Sequence, residues 1–272
     1  MHRTFRLTFR PILTRLASLM LVTGLALALP AQAGQNCEAR PLRLESAAQA
    51  LELASRVSAA LDATGARVVL LARAGRNLDE WGLRWSHMGL AYRDDAAGGW
   101  RVVHKLNACG TAVGDLYRQG LGLFFLDDVY RHEAGLVVPT PELQAALLPL
   151  LQDDARVTRL QQRPYNMVAY PWSTRYQQSN QWALETLAMA AEPAIADRAG
   201  AQAWLRFKGY QPTVLRIGPM KRLGARIGAA HIAFDDHPDA DRYSDRIATI
   251  TVESVFGFMQ ARGLGTPMQV LR

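Results

Sequence analysis

Two short runs of alternating apolar and polar residues stand near the middle of the chain. They are Trp85-Ser86-His87-Met88-Gly89-Leu90 and Trp100-Arg101-Val102-Val103-His104-Lys105-Leu106. Each has the two-residue period of a half-buried strand, and Asp94-Asp95-Ala96-Ala97-Gly98-Gly99 between them is hairpin-turn material. Paired antiparallel, the two strands place His87 and His104 side by side. Neighbouring imidazoles can serve as a base and its orienting partner, the arrangement that nucleophilic catalysis needs.

The helical period appears on either side of the hairpin. Ala50, Leu53, Ala54, Val57 and Leu61 recur at three- and four-residue spacing, so Ser46 to Leu61 is expected to be an amphipathic helix. Thr140 followed by Pro141 is a helix start, running to about Gln152. Ser179 to Ala191 has Trp182, Leu184, Leu187 and Met189 as its bulk and Glu192-Pro193 as its stop. Shorter helices are expected over Ala112–Gln119, Gln202–Lys208 and Ser254–Ala261. Strands are expected over Arg67–Arg73, Leu121–Asp127, Leu136–Val138, Thr213–Ile217, Ala230–Phe234 and Arg246–Val252, with Tyr165–Tyr170 extended and Arg131–Glu133 in a loop. Without repeats or an evident linker, the pattern predicts one α+β domain with an antiparallel sheet and packed helices.

The first residues follow a different logic. Arg3, Arg6, Arg10 and Arg15 form a basic region, Leu16 to Leu29 is apolar and uncharged, and Ala31-Gln32-Ala33 has the small-x-small form of a cleavage site. The apolar run is shorter than the roughly 20 residues of a spanning helix. A cleaved secretion signal over residues 1–33 is therefore expected, with the α+β domain over 34–272 in the periplasm or outside the cell. No later stretch predicts a membrane span. Removing the four leader arginines takes the formal net charge from +7 to about +3. The remaining Lys and Arg are scattered, so nothing points to nucleic acid.

Both cysteines, Cys37 and Cys109, fall in the exported part, and an even count there favours a disulfide. Such a bond would close a loop of about 70 residues and stabilise the fold by on the order of 4 kcal/mol. A second reading makes Cys109 a nucleophile near the two histidines. The run Asp235-Asp236-His237-Pro238-Asp239-Ala240-Asp241 has alternating oxygen donors but lacks the glycine and terminal glutamate of a calcium loop, so a solvated turn is expected there. No metal or cofactor is implied. Trp81, Trp85, Tyr92, Trp100 and Trp172 could floor a sugar or peptide cleft, or serve in the core and across the hairpin. Ser179 is also an ordinary N-cap residue for its helix.

Asn36-Cys37-Glu38-Ala39-Arg40, Leu83-Arg84-Trp85-Ser86-His87 and Ser179-Asn180-Gln181-Trp182 carry a resemblance over nearly the whole exported chain to a bacterial family catalogued as domain of unknown function 2145. That resemblance brings no activity with it. Ser86-His87-Met88-Gly89-Leu90, then His104 on the next strand, then Gln178-Ser179-Asn180-Gln181-Trp182 more distantly resemble circularly permuted papain-like proteins. These are the relatives of the NlpC-type cell-wall peptidases and of lecithin:retinol acyltransferase. The likeness implies a permuted papain-like fold with His87 as general base, His104 as its orienter and Ser179 where that family has cysteine. It also implies an amide- or ester-bond hydrolase acting on cell-wall peptide or a small acyl or amide substrate. A helix N-terminus and an imidazolium can hold a cysteine as thiolate, whereas a serine hydroxyl needs its base at the moment of attack. The alternative is a catalytically silent periplasmic binding or envelope-assembly protein on the same scaffold.

Overall fold

The computed structural model describes residues 43–126 and 129–272. The expected secretion signal and Cys37 lie outside the described residues, and so does the predicted Cys37–Cys109 bond. The first described helix, α1 (Leu44–Ala63), buries the five apolar positions that its sequence period marks. Strand β1 (Val68–Ala74) follows, buried along its whole length. The central hairpin is β2 (His87–Asp94) and β3 (Gly99–Asn107). Its turn needs Gly98 at a φ of 67°, a left-handed conformation that glycine adopts without steric cost.

The next two elements exchange their expected types. Gly114–Gly120, overlapping the helix predicted over Ala112–Gln119, is strand β4 on the edge of the sheet beside β3. Leu121–Leu126, predicted as a strand, is the short helix α2. Leu121, Phe124 and Phe125 stand at i, i+3 and i+4, one helical face, and they cluster with Leu53 and Val57 of α1. Strand β5 (Arg131–Val137) takes in the polar triplet Arg131-His132-Glu133, where a loop was expected. After it come α3 (Pro141–Gln152), whose N-cap Thr140 accepts from the Leu143 N–H, and the single turn α4 (Asp154–Val157).

Helix α5 (Ser179–Ala191) is buried from Ser179 to Ala190. It is followed by α6 (Arg198–Phe207), strand β6 (Thr213–Arg216), α7 (Pro219–Gly228), the turn α8 (Asp239–Arg242), strand β7 (Arg246–Thr249), α9 (Val252–Ala261) and strand β8 (Gln269–Leu271). Two stretches expected as extended are irregular. At Tyr165–Tyr170 and Ala230–Phe234, the Asn166 side chain bonds both the N–H and the carbonyl of Ala233. A side-chain amide thus does the work of a strand ladder.

Six strands form one antiparallel sheet in the order β4-β3-β2-β1-β5-β8, and β6 pairs with β7 apart from it. Helices cover both faces of the large sheet, which is why β1 reads as a continuous apolar run. Val69 and Leu71 pack with α1 and α2, while Val68, Leu70 and Ala72 share a core with α3, α5 and α9. The fold is α+β with an antiparallel sheet, as the sequence predicts. Among the described residues, no helix is long and apolar enough to cross a membrane.

Candidate functional site

Strand β2 alternates between the two cores. Met88, Leu90 and Tyr92 enter the core shared with α5, and Ala91 enters the core shared with α2. His87 falls in the second phase, with His104 beside it. The His87 Nε2 and His104 Nδ1 atoms are 2.8 Å apart, and both rings lie against Phe124. Gly89 makes this approach possible. A Cβ there would stand 2.6 Å from Val102 Cγ1 and 3.0 Å from His104 Cβ.

The chain of bonds continues to β4, where Gln119 Oε1 lies 2.9 Å from His104 Nε2. A carbonyl oxygen only accepts, so His104 Nε2 carries the hydrogen. In a neutral His104 ring Nδ1 then accepts, and His87 Nε2–H donates to it. His87 Nδ1 is left with a lone pair, which is the state of a base. Burial holds the His87 pKa well below the ordinary 6.5, with Arg73 and then His104 adding repulsion. His87 is therefore neutral at pH 7.

Pairing between β2 and β3 runs only as far as Leu90 and Val103. Below that point the start of α5 enters, and the Met88 N–H donates to Asn180 Oδ1 at 3.1 Å. Ser179 is not the N-cap that its residue type suggests. Gln178 occupies that place, and its amide donates to Thr249 Oγ1 at 2.7 Å and to the Ile250 carbonyl at 2.9 Å. Ser179 is the first helical residue, with its hydroxyl 3.4 Å from the Tyr165 hydroxyl. Burial raises the Tyr165 pKa, so that phenol stays protonated. Among the described residues no hydrogen bond joins Ser179 to His87.

The loop before α5 is fixed by a buried polar network. Gln177 Nε2 donates to Glu185 Oε2 at 2.7 Å, and Arg198 grips both oxygens of that carboxylate at 2.7 and 3.1 Å. Lys105 reaches Gln177 Oε1 at 2.8 Å and the Gln162 carbonyl from the sheet side. Burial, with repulsion from Arg198, lowers the Lys105 pKa from 10.5 to about 7 against the pull of Glu185 and Asp115.

His87 and Ser179 border one cavity of about 400 Å³. Trp81, Trp85, Met167, Ile217 and Phe234 contribute to a mainly apolar wall, and Arg73, Arg76 and Lys221 are its charged members. Among the described residues, no carboxylate lines it. Of the aromatic set, Trp81 and Trp85 reach this wall. Tyr92 and Trp100 are core residues, and Trp172 packs edge-on to Tyr210. His104 stands behind His87 rather than in the lining. Cys109 lies in the exposed turn after β3, outside the cavity wall. The acidic run forms a turn in which Asp236 accepts the Tyr170 N–H at 2.8 Å, and no cluster of metal-ligating residues occurs among the described residues. Gln119, Tyr165, Asn180 and Glu185 are the site's supporting residues that sequence reasoning does not find. Each acts through a contact distant in sequence.

An antiparallel α+β scaffold enclosing an apolar cavity, with a hydroxyl and a neutral imidazole on its wall, is the class that fold and site define. The chain belongs to the bacterial family described as "Uncharacterized protein conserved in bacteria (DUF2145)", whose model matches residues 60–259. No curated protein and no solved structure matches the chain.

Proposed function

We propose that this protein is an exported hydrolase on a permuted papain-like scaffold, cleaving an amide or ester bond with Ser179 as nucleophile. One observation carries the reading: Ser179 and His87 border the same cavity, with His104 and Gln119 hydrogen-bonded in series behind His87. His87 Nδ1 takes the Ser179 proton as the oxygen attacks the substrate carbonyl carbon. The carbonyl electron pair moves to oxygen, and backbone N–H groups in the first turn of α5, which have no partner within the helix, stabilise that oxyanion. The tetrahedral species collapses to an acyl-serine while His87 returns the proton to the departing amine or alcohol. Water, deprotonated by His87, then releases the acid and restores Ser179. A mainly apolar wall, with no carboxylate among the described residues that line it, favours an acyl substrate over cell-wall peptide.

A second reading, a catalytically silent binding or assembly protein, is favoured by the partner of Ser179. Its hydroxyl faces Tyr165 rather than His87, so attack requires rotation about the Ser179 side chain. Hydrolysis of a series of p-nitrophenyl acyl esters separates the two. The catalytic reading expects turnover that falls at least about 100-fold in Ser179→Ala and persists in Ser179→Cys. Absence of turnover in the wild type, with saturable binding of the same acyl chains, would establish the silent reading.

A further inference from the structure

Helix α7 has its apolar residues on the outside. Met220, Leu223 and Ile227 recur at i, i+3 and i+7 and fall within an arc of about 60°. They are 81%, 54% and 77% exposed, and no residue of the helix is buried. Lys221 and Ala225 project from the other side and border the apolar cavity. A helix placed to serve a core would present the reverse arrangement.

The flanking charge narrows what can cover this stripe. Its cations are Arg222 and Arg226, with Lys221 on the cavity side paired to Glu80, and it carries no acidic residue. Arg222 donates to the Arg242 carbonyl, and the adjoining Tyr243 ring is 76% exposed. Tyrosine suits the boundary between headgroups and acyl chains. A second copy of this chain would bring the same cations against these, so self-association through the stripe is opposed by like charge.

We propose that α7 docks on an anionic lipid surface, its stripe entering the headgroup boundary while its inner side keeps the cavity open to an acyl chain. An amphipathic helix with aliphatic residues on one side and Arg222 and Arg226 beside them has the composition for lying in such an interface. The docking needs neither Ser179 nor His87, and only the acyl occupant of the cavity rests on the proposed function.

The test is co-sedimentation of the protein, purified with its native processed N-terminus, with vesicles of phosphatidylcholine alone or mixed with phosphatidylglycerol. Binding to the mixed vesicles is expected, weakening as salt rises. The exposed triple variant Met220→Ser, Leu223→Ser, Ile227→Ser should bind roughly tenfold less or weaker still. Unchanged thermal unfolding of that variant would show that its fold is retained. Ser179→Ala should bind as the wild type does, so failure of catalysis and failure of docking are separate results. Equal binding by the triple variant, or no preference for the anionic vesicles, would overturn the proposal. So would a dimer lost in the triple variant without vesicle binding, which assigns the stripe to a second copy.

Discussion

The Met88 N–H donates to Asn180 Oδ1 at 3.1 Å, joining the strand that carries His87 to the helix that begins at Ser179. Each partner is one residue from a member of the candidate site. The bond uses a backbone donor that β3 leaves unpaired where the hairpin opens, so one side chain both satisfies β2 and sets the position of α5.

Asn180→Ala is expected to cost about 1–3 kcal/mol, because a buried backbone donor loses its partner. It should also lower kcat more than it changes KM, since it loosens Ser179 relative to His87 while leaving the apolar residues of the cavity wall in place. Chemical denaturation and ester kinetics on one preparation check both effects.

Gln119→Leu removes the acceptor that fixes the His104 tautomer. His87 Nδ1 then loses its enforced lone pair, and kcat is expected to fall with little change in KM. Gln119→Glu, which still accepts, should restore most of the rate. The comparison of the two variants, read together with their pH profiles, distinguishes positioning from mere packing.

The pH dependence follows from the lowered His87 pKa. Activity that needs the neutral ring should persist below pH 6.5, where an ordinary histidine is already protonated, and fall only at lower pH. The stability sign follows from linkage. Below the ordinary value the unfolded chain takes up a proton at this residue and the folded chain does not. The stabilising contribution is therefore complete above 6.5 and declines as pH falls toward the folded value. His231, lowered by its burial and by Arg76, acts with the same sign. Thermal unfolding of wild type and His87→Asn between about pH 7.5 and pH 5 should show a shallower decline in the variant.

Glu185→Ala leaves the buried guanidinium of Arg198 without its carboxylate and takes one acceptor from the Gln177 amide, which keeps the Leu160 carbonyl. A loss of about 3–5 kcal/mol is expected, because an uncompensated buried charge remains. Glu185→Gln should lose less, since it keeps an acceptor for both neighbours. Urea unfolding curves of the two variants give the comparison.

Much of the scaffold was legible because its period is unambiguous. The core positions of α1, the Thr140-Pro141 start of α3, the bounds of α5 and the hairpin with paired histidines all follow from local pattern. The exchange of β4 and α2 has a local cause too. Leu121-Gly122-Leu123-Phe124-Phe125 looks like a buried strand until its i, i+3, i+4 spacing is weighed, and β4 is an edge strand with few apolar residues. Helix α7 is hidden for the opposite reason, because its stripe faces outward and no core demands it. At the site, His87, His104 and Ser179 could be picked out as reactive types. Their supports could not, since Gln119, Tyr165 and Asn180 reach them only after the sheet has brought distant segments together.

The most direct measurement is labelling with a serine-reactive fluorophosphonate, with the adduct located by mass spectrometry in wild type and His87→Ala. A single adduct on Ser179 that disappears in His87→Ala is the predicted result. An unlabelled Ser179 in folded wild-type protein, or labelling that does not depend on His87, would contradict the joint role of the two residues.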